Sequence, residues 1–240
     1  MPPGRPDAAD RSAPSAGTNP IIVAIDVPDL DQAVSLASRL EGEVGMFKVG
    51  LELFGGYGPA AVERIAEYGP VFLDLKLHDI PTTVERATRR LSQLDGVEML
   101  TIHATGGPTM VAAAVEGFGD AGTILAVTVL TSLSDEELAR VNMPPADTQV
   151  EALAFMAVDA GAPGLVCAPR DLGRVRSLVG SDVAFVTPGI RPAGEGDDDH
   201  ARAATPTRAM DDGATHLVIG RPITRADDPV AAARAILADL

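Results

Sequence analysis

"IIVAIDVPDLDQAV", Ile21 to Val34, passes from an unbroken apolar and β-branched run into a segment whose apolar residues recur at three and four. The first half reads as a buried strand and the second as an amphipathic helix opened by Asp29. The turn between them, AIDVPDLD, contains no glycine. An open doubly wound sheet is expected to carry G-x-G-x-x-G at this first turn, where the backbone must approach a pyrophosphate closely. Without it, the alternative architecture of alternating strands and helices is favoured.

The alternation continues along the chain. Strand-like runs occur at 21–26, 44–50, 71–76, 97–104, 123–130, 164–168, 183–189 and 216–220. Between them lie helical patterns such as DLDQAVSLASRL, GPAAVERIAEY, PTTVERATRRLSQL, GPTMVAAAVEGF, DTQVEALAFMAVDAG and DPVAAARAILADL, with Pro81 suited to the first turn of the third. Eight such alternations in a chain of this length predict a single (β/α)8 TIM barrel over residues 20–240. Residues 1–19, rich in Pro, Ala, Ser and Gly and without periodicity, read as a disordered tail.

Composition narrows the chemistry. At 240 residues and 46% hydrophobic, the chain can bury a large core. Its net charge of -15 repels nucleic acid and anionic membranes, which leaves small-molecule chemistry. The single cysteine, Cys167, excludes an internal disulfide framework and suits a reducing cytoplasm. No apolar stretch approaches the roughly 20 residues of a membrane span, so a cytoplasmic location is expected.

A barrel of this kind works at the C-terminal ends of its strands. Those ends carry Asp26, Lys48, the group Asp74, Lys76 and Asp79, then His103, Thr128, Thr131, Arg191 and Arg221. The turns TPGIRP and VIGRPIT put glycine beside arginine after strands seven and eight, the usual phosphate site of the fold. In VFLDLKLHDIPTTV, Val71 to Val84, period-two alternation predicts Asp74, Lys76 and His78 on one strand face with Leu75 and Leu77 on the other. Isolated charges there would be costly to desolvate, so Asp74, Lys76 and Asp79, with Lys48 from the neighbouring strand, are expected to form a charge network. Only two lysines occur, Lys48 and Lys76; the other 17 basic residues are arginine. Aspartates beside a lysine keep it protonated and ready to deliver a proton. An inert buried ion-pair cluster is the structural alternative.

The motifs AIDVPD, FKVGLELF, VFLDLKLHDIPTTV, HATGG, AVTVLTS, TPGIRP and VIGRPIT occur together, and by them the chain resembles the orotidine 5'-phosphate decarboxylase family from Ile21 to about Leu240. The resemblance implies a cofactor-free, metal-free carboxy-lyase that converts orotidine 5'-phosphate to UMP in pyrimidine biosynthesis. It makes Lys76 the proton donor to C6 and Asp74 the carboxylate beside the departing group. Lys48 and Asp26 would serve the ribose, Thr131 the pyrimidine, and Arg191, Gly220 and Arg221 the 5'-phosphate. Asp79, Ile80 and Thr83 would reach the active site of a second subunit, which implies a homodimer with shared sites. At the position of the family's usual phosphate-loop glutamine the chain has His200, in an unusually acidic segment.

Two rivals remain. One is a Mg-dependent sugar-phosphate lyase or decarboxylase of the same superfamily, which would bring an additional acidic metal ligand from the second strand, where Lys48 stands instead. The other is a non-catalytic barrel that binds a nucleotide.

Overall fold

The computed structural model describes residues 19–192 and 204–240. Eight parallel strands close into a barrel in chain order: β1 (Ile21–Ala24), β2 (Met46–Gly50), β3 (Val71–Leu77), β4 (Val97–His103), β5 (Thr123–Val127), β6 (Gly164–Val166), β7 (Ala184–Thr187) and β8 (His216–Ile219). β8 pairs with β1 through Ile22 and Val218, which removes every open sheet edge. The (β/α)8 TIM barrel expected from the eight apolar runs is the fold of the chain.

Eleven α-helices accompany the strands among the described residues: α1 (Leu30–Arg39), α2 (Leu51–Tyr57), α3 (Pro59–Ala66), α4 (Pro81–Leu91), α5 (Pro108–Phe118), α6 (Asp135–Arg140), α7 (Ala146–Asp159), α8 (Leu172–Val179), α9 (Pro206–Asp211), α10 (Arg221–Thr224) and α11 (Pro229–Ala238). Asp29 caps α1 by accepting from the Gln32 N–H, and Pro81 opens α4. The expected tail lies outside the described residues except for Asn19. That side chain accepts from the Ile21 N–H and donates to the Glu43 carbonyl, fixing the entry to β1.

The strands are buried on both faces, which is why they read as continuous apolar runs. Alternate residues, among them Ile22, Ala24, Met46, Phe72, Met99, Leu125, Val186 and Val218, fill the barrel interior. Their neighbours, such as Val23, Phe47, Leu73, Leu100 and Phe185, pack outward in the larger core shared with the helices. Above the apolar interior layer, nearer the C-terminal strand ends, come Lys48, Asp74 and Thr101. The barrel therefore has a dry floor and a charged mouth.

Close packing of the outer layer depends on small residues. Gly117 of α5 lies against α4, where an added Cβ would come within 2.3 Å of both the Glu85 carbonyl oxygen and Thr88 Oγ1. Gly173 of α8 faces open space. Gly117→Ala should therefore lower stability by about 1–3 kcal/mol through overpacking, while Gly173→Ala should leave it unchanged or raise it by up to about 1 kcal/mol. Denaturant melts of the two variants check this; equal midpoints would contradict the packing account.

Candidate active site

The register of the first three strands builds the site. Ala24 lies beside Lys48 and Lys48 beside Phe72, while Gly50 lies beside Asp74. Lys48 thus starts below Asp74 and extends upward. Its Nζ donates to Asp26 Oδ1 at 2.9 Å and stands 3.7 Å from Asp74 Oδ2. A Cβ on Gly50 would come within 3.0 Å of that ammonium and 3.3 Å of Asp26 Oδ1, so a residue without a side chain leaves room for the pair.

β3 is irregular where it carries its charges. Leu73 pairs with Leu100, but the next partners are Leu77 and Ile102, so β3 advances four residues while β4 advances two. A bulge absorbs the difference, and Lys76 within it has φ of 51°. A left-handed backbone costs a non-glycine residue on the order of 1 kcal/mol. The expected sharing of a face by Asp74 and Lys76 is present, with Lys76 Nζ donating to Asp74 Oδ1 at 2.7 Å. It arises through the bulge rather than through flat alternation. His78 lies further out beside His103, with ring centroids 5.8 Å apart.

Thr101, fully buried on β4, completes the arrangement and was absent from the sequence expectations. Its Oγ1 accepts from the Lys76 backbone N–H and donates to Asp74 Oδ1, each at 2.9 Å. Period-two alternation with Met99 and His103 was the available signal that it faces inward.

Burial alone would push the Asp74 carboxyl upward. The Lys48 and Lys76 ammoniums, with hydrogen bonds from Lys76 and Thr101, overcome that and hold it below the usual carboxylate range. Burial, with the nearby His78 and Lys76, pushes the His103 imidazole down and favours its neutral form. Burial, with the Asp171 carboxylate, pushes the Cys167 thiol up to about 12, so it remains a neutral thiol near neutrality.

Lys48, Asp74 and Lys76 form one side of a cavity of about 170 Å³, which Phe72, Val127, Val166, Ala168, Pro188 and Val218 otherwise line with apolar surface. Thr131 is among its lining residues. Thr128 instead is buried just past the end of β5, donating to the Val166 carbonyl, and is not among the cavity-lining residues. Such a cavity can hold a small organic group against an ammonium, whose field is strengthened by the mainly apolar surroundings. Among the described residues, no group of three or more histidine, cysteine or carboxylate side chains is arranged to hold a metal ion.

The remaining sequence candidates are more dispersed. Asp79 and Ile80 are exposed where β3 leads into α4, and Asp79 Oδ1 accepts from the Ile80 N–H. Among the described residues, no ion pair joins Asp79 to Lys76, so three of the four expected network members come together within one chain. Thr83 is exposed in the first turn of α4. Arg191 follows β7, its backbone N–H donating to Ala204, while Gly220 and Arg221 open α10 after the adjoining β8. His200 lies outside the described residues.

The depressed carboxyl fixes the sign of a pH effect. Asp74 contributes stability above the ordinary aspartate value of 3.8 and loses it as pH falls through its lower folded value. Asp74→Asn leaves the buried Lys48 and half-buried Lys76 ammoniums without this counter-charge and should cost on the order of 3 kcal/mol at neutral pH. Denaturant titrations at decreasing pH should show the gap between wild type and variant closing in the acid range. A gap independent of pH would mean that Asp74 is not held as described.

Comparison with known proteins places this geometry. Residues 19–236 match the family model described as Orotidine 5'-phosphate decarboxylase / HUMPS family. The chain is 51% identical over 222 residues to the orotidine 5'-phosphate decarboxylase of Anaeromyxobacter sp. (strain K), covering 92% of this chain and 97% of the relative. It is 52% identical over 224 residues to that of Thermobifida fusca (strain YX), covering 92% and 95%. The crystal structure of orotidine 5'-phosphate decarboxylase from Lactobacillus acidophilus superposes with a TM-score of 0.82 at 38% identity, covering 92% of this chain and 98% of that one. With its closed barrel and its paired lysines around one carboxylate, the chain belongs to the orotidine 5'-phosphate decarboxylase / HUMPS family.

Proposed function

We propose that this chain decarboxylates orotidine 5'-phosphate to UMP without a metal or organic cofactor. The observation that carries the reading is the Lys76 ammonium, 2.7 Å from Asp74 at the edge of a mainly apolar cavity, in a chain of this family. The C6–carboxylate bond breaks, CO₂ departs, and the electron pair remains at C6. That carbanion lacks an ordinary electron sink, so its charge must be stabilised by the protein. Lys76 supplies both a positive field and the proton that forms the new C6–H bond. Asp74 beside the leaving carboxylate raises its ground-state energy and holds the Lys76 ammonium in place through its hydrogen bond.

In this reading Lys48 and Asp26 hold the ribose and Thr131 contacts the pyrimidine. Arg191, Gly220 and Arg221 hold the 5'-phosphate, and His200 takes the part of the family's usual glutamine. Binding energy from the remote phosphate positions the ring over the ammonium. Asp79, Ile80 and Thr83 serve the site of a second subunit, making the working form a homodimer. Their exposure, with Ile80 at 66% after β3 and Leu51 at 63% after the adjoining β2, supports an interface on this side of the barrel.

Purified protein mixed with orotidine 5'-phosphate should yield UMP at a rate unaffected by EDTA. Lys76→Ala and Lys76→Arg should lose at least about 10²-fold in kcat, since both remove the positioned ammonium. Full activity in both variants would overturn the role of Lys76, and EDTA-sensitive turnover restored by Mg²⁺ would favour a metal-dependent sugar-phosphate enzyme. UMP binding without turnover would point to a nucleotide-binding barrel.

Mixing inactive Asp79→Ala and Lys76→Ala proteins should restore part of the activity through hybrid dimers that contain one intact site. No recovery, with subunit exchange demonstrated, would count against Asp79 acting across the interface.

A further inference from the structure

We propose that Thr101 is the positioning residue of the proton donor, one hydroxyl that fixes both the bulged backbone of Lys76 and the orientation of the Asp74 carboxylate. The proposal rests on the decarboxylase reading for its effect on rate, and on geometry for its existence. A hydroxyl has one hydrogen and two lone pairs. The Lys76 backbone N–H can only donate, so it occupies a lone pair of Thr101 Oγ1, and the hydroxyl hydrogen is directed to Asp74 Oδ1. The two contacts fix each other's direction.

The bulge makes this clamp necessary. Between the pairings Leu73 with Leu100 and Leu77 with Ile102, regular ladder bonding is interrupted. The Thr101 hydroxyl supplies the acceptor for Lys76, whose φ of 51° is otherwise disfavoured. On the carboxylate, Oδ1 receives both Thr101 and Lys76 Nζ. Oδ2 is turned toward Lys48. Thr101 thus determines which oxygen binds the donor lysine and how the lysine backbone is set, without being among the cavity-lining residues.

The test uses the full chain with Thr101→Val, which keeps the shape and removes both hydrogen bonds, Thr101→Ala in case the valine variant does not fold, and Thr101→Ser, which keeps the hydroxyl. Turnover of orotidine 5'-phosphate is measured across pH, with UMP affinity by calorimetry. The Val and Ala variants should lose about 10–100-fold in kcat while KM and UMP affinity stay within about threefold. Loss of a donor to the ionised carboxylate raises the Asp74 pKa, so the acid limb of kcat should move to higher pH. The serine variant should restore rate and limb. Unchanged kcat in the Val and Ala variants overturns the proposal, as does a loss that serine does not rescue or that leaves the acid limb in place. If the wild type gives no turnover, the decarboxylase reading falls separately. The clamp is then decided by carbon NMR titration of Asp74: a higher titration point in the variants upholds it, and an unmoved one overturns it.

Discussion

One carboxylate between two ammoniums sets the terms for the mouth of this barrel. Asp74 lies 2.7 Å from Lys76 Nζ and 3.7 Å from that of Lys48, in a region whose other walls are mainly hydrocarbon. Any of the three alone would be a poorly solvated charge; together, the two ammoniums hold the Asp74 carboxyl below the usual carboxylate range. Asp26 adds a second anion on Lys48 at the solvent edge. The lower barrel follows from the same constraint, because an apolar floor keeps water from weakening the field above it.

The use of lysine fits these demands. Arginine dominates the basic residues elsewhere in the chain, yet both lysines converge on Asp74. A guanidinium is a broad planar fork that remains protonated, suited to clamping an anion at a rim. An ammonium is compact and can release a proton. Lys48 and Lys76 lie inside, while Arg191 follows β7 and Arg221 opens α10 after β8.

The architecture was legible because each strand is buried on two sides and so appears as an apolar run. Several helices were less so. α2 contains the pair Gly55 and Gly56, which weakens any helical pattern, and α6 is only six residues long. Its Ser134 and Glu137 form a capping box that the sequence does display. The charged trio was legible from unusual residue types in strand-like surroundings. Thr101 was not, since threonine is an ordinary strand residue and its importance arises from a register shift between β3 and β4. Asp79 was singled out with the trio, but within one chain it remains on the exposed rim.

That register shift separates two jobs usually shared by one stretch of backbone. Below it, β3 pairs with both neighbours, Phe47 beside Val71 and Leu73 beside Leu100, with one smaller slip against β4 between Val71 and Phe72; above it, Leu77 rejoins β4. The residues between these points are released from pairing with β4, while Asp74 still lies beside Gly50 of β2. They form a small insert in which chemistry can be rewritten residue by residue while the hydrogen-bonded hoops on either side keep the circumference of the barrel fixed.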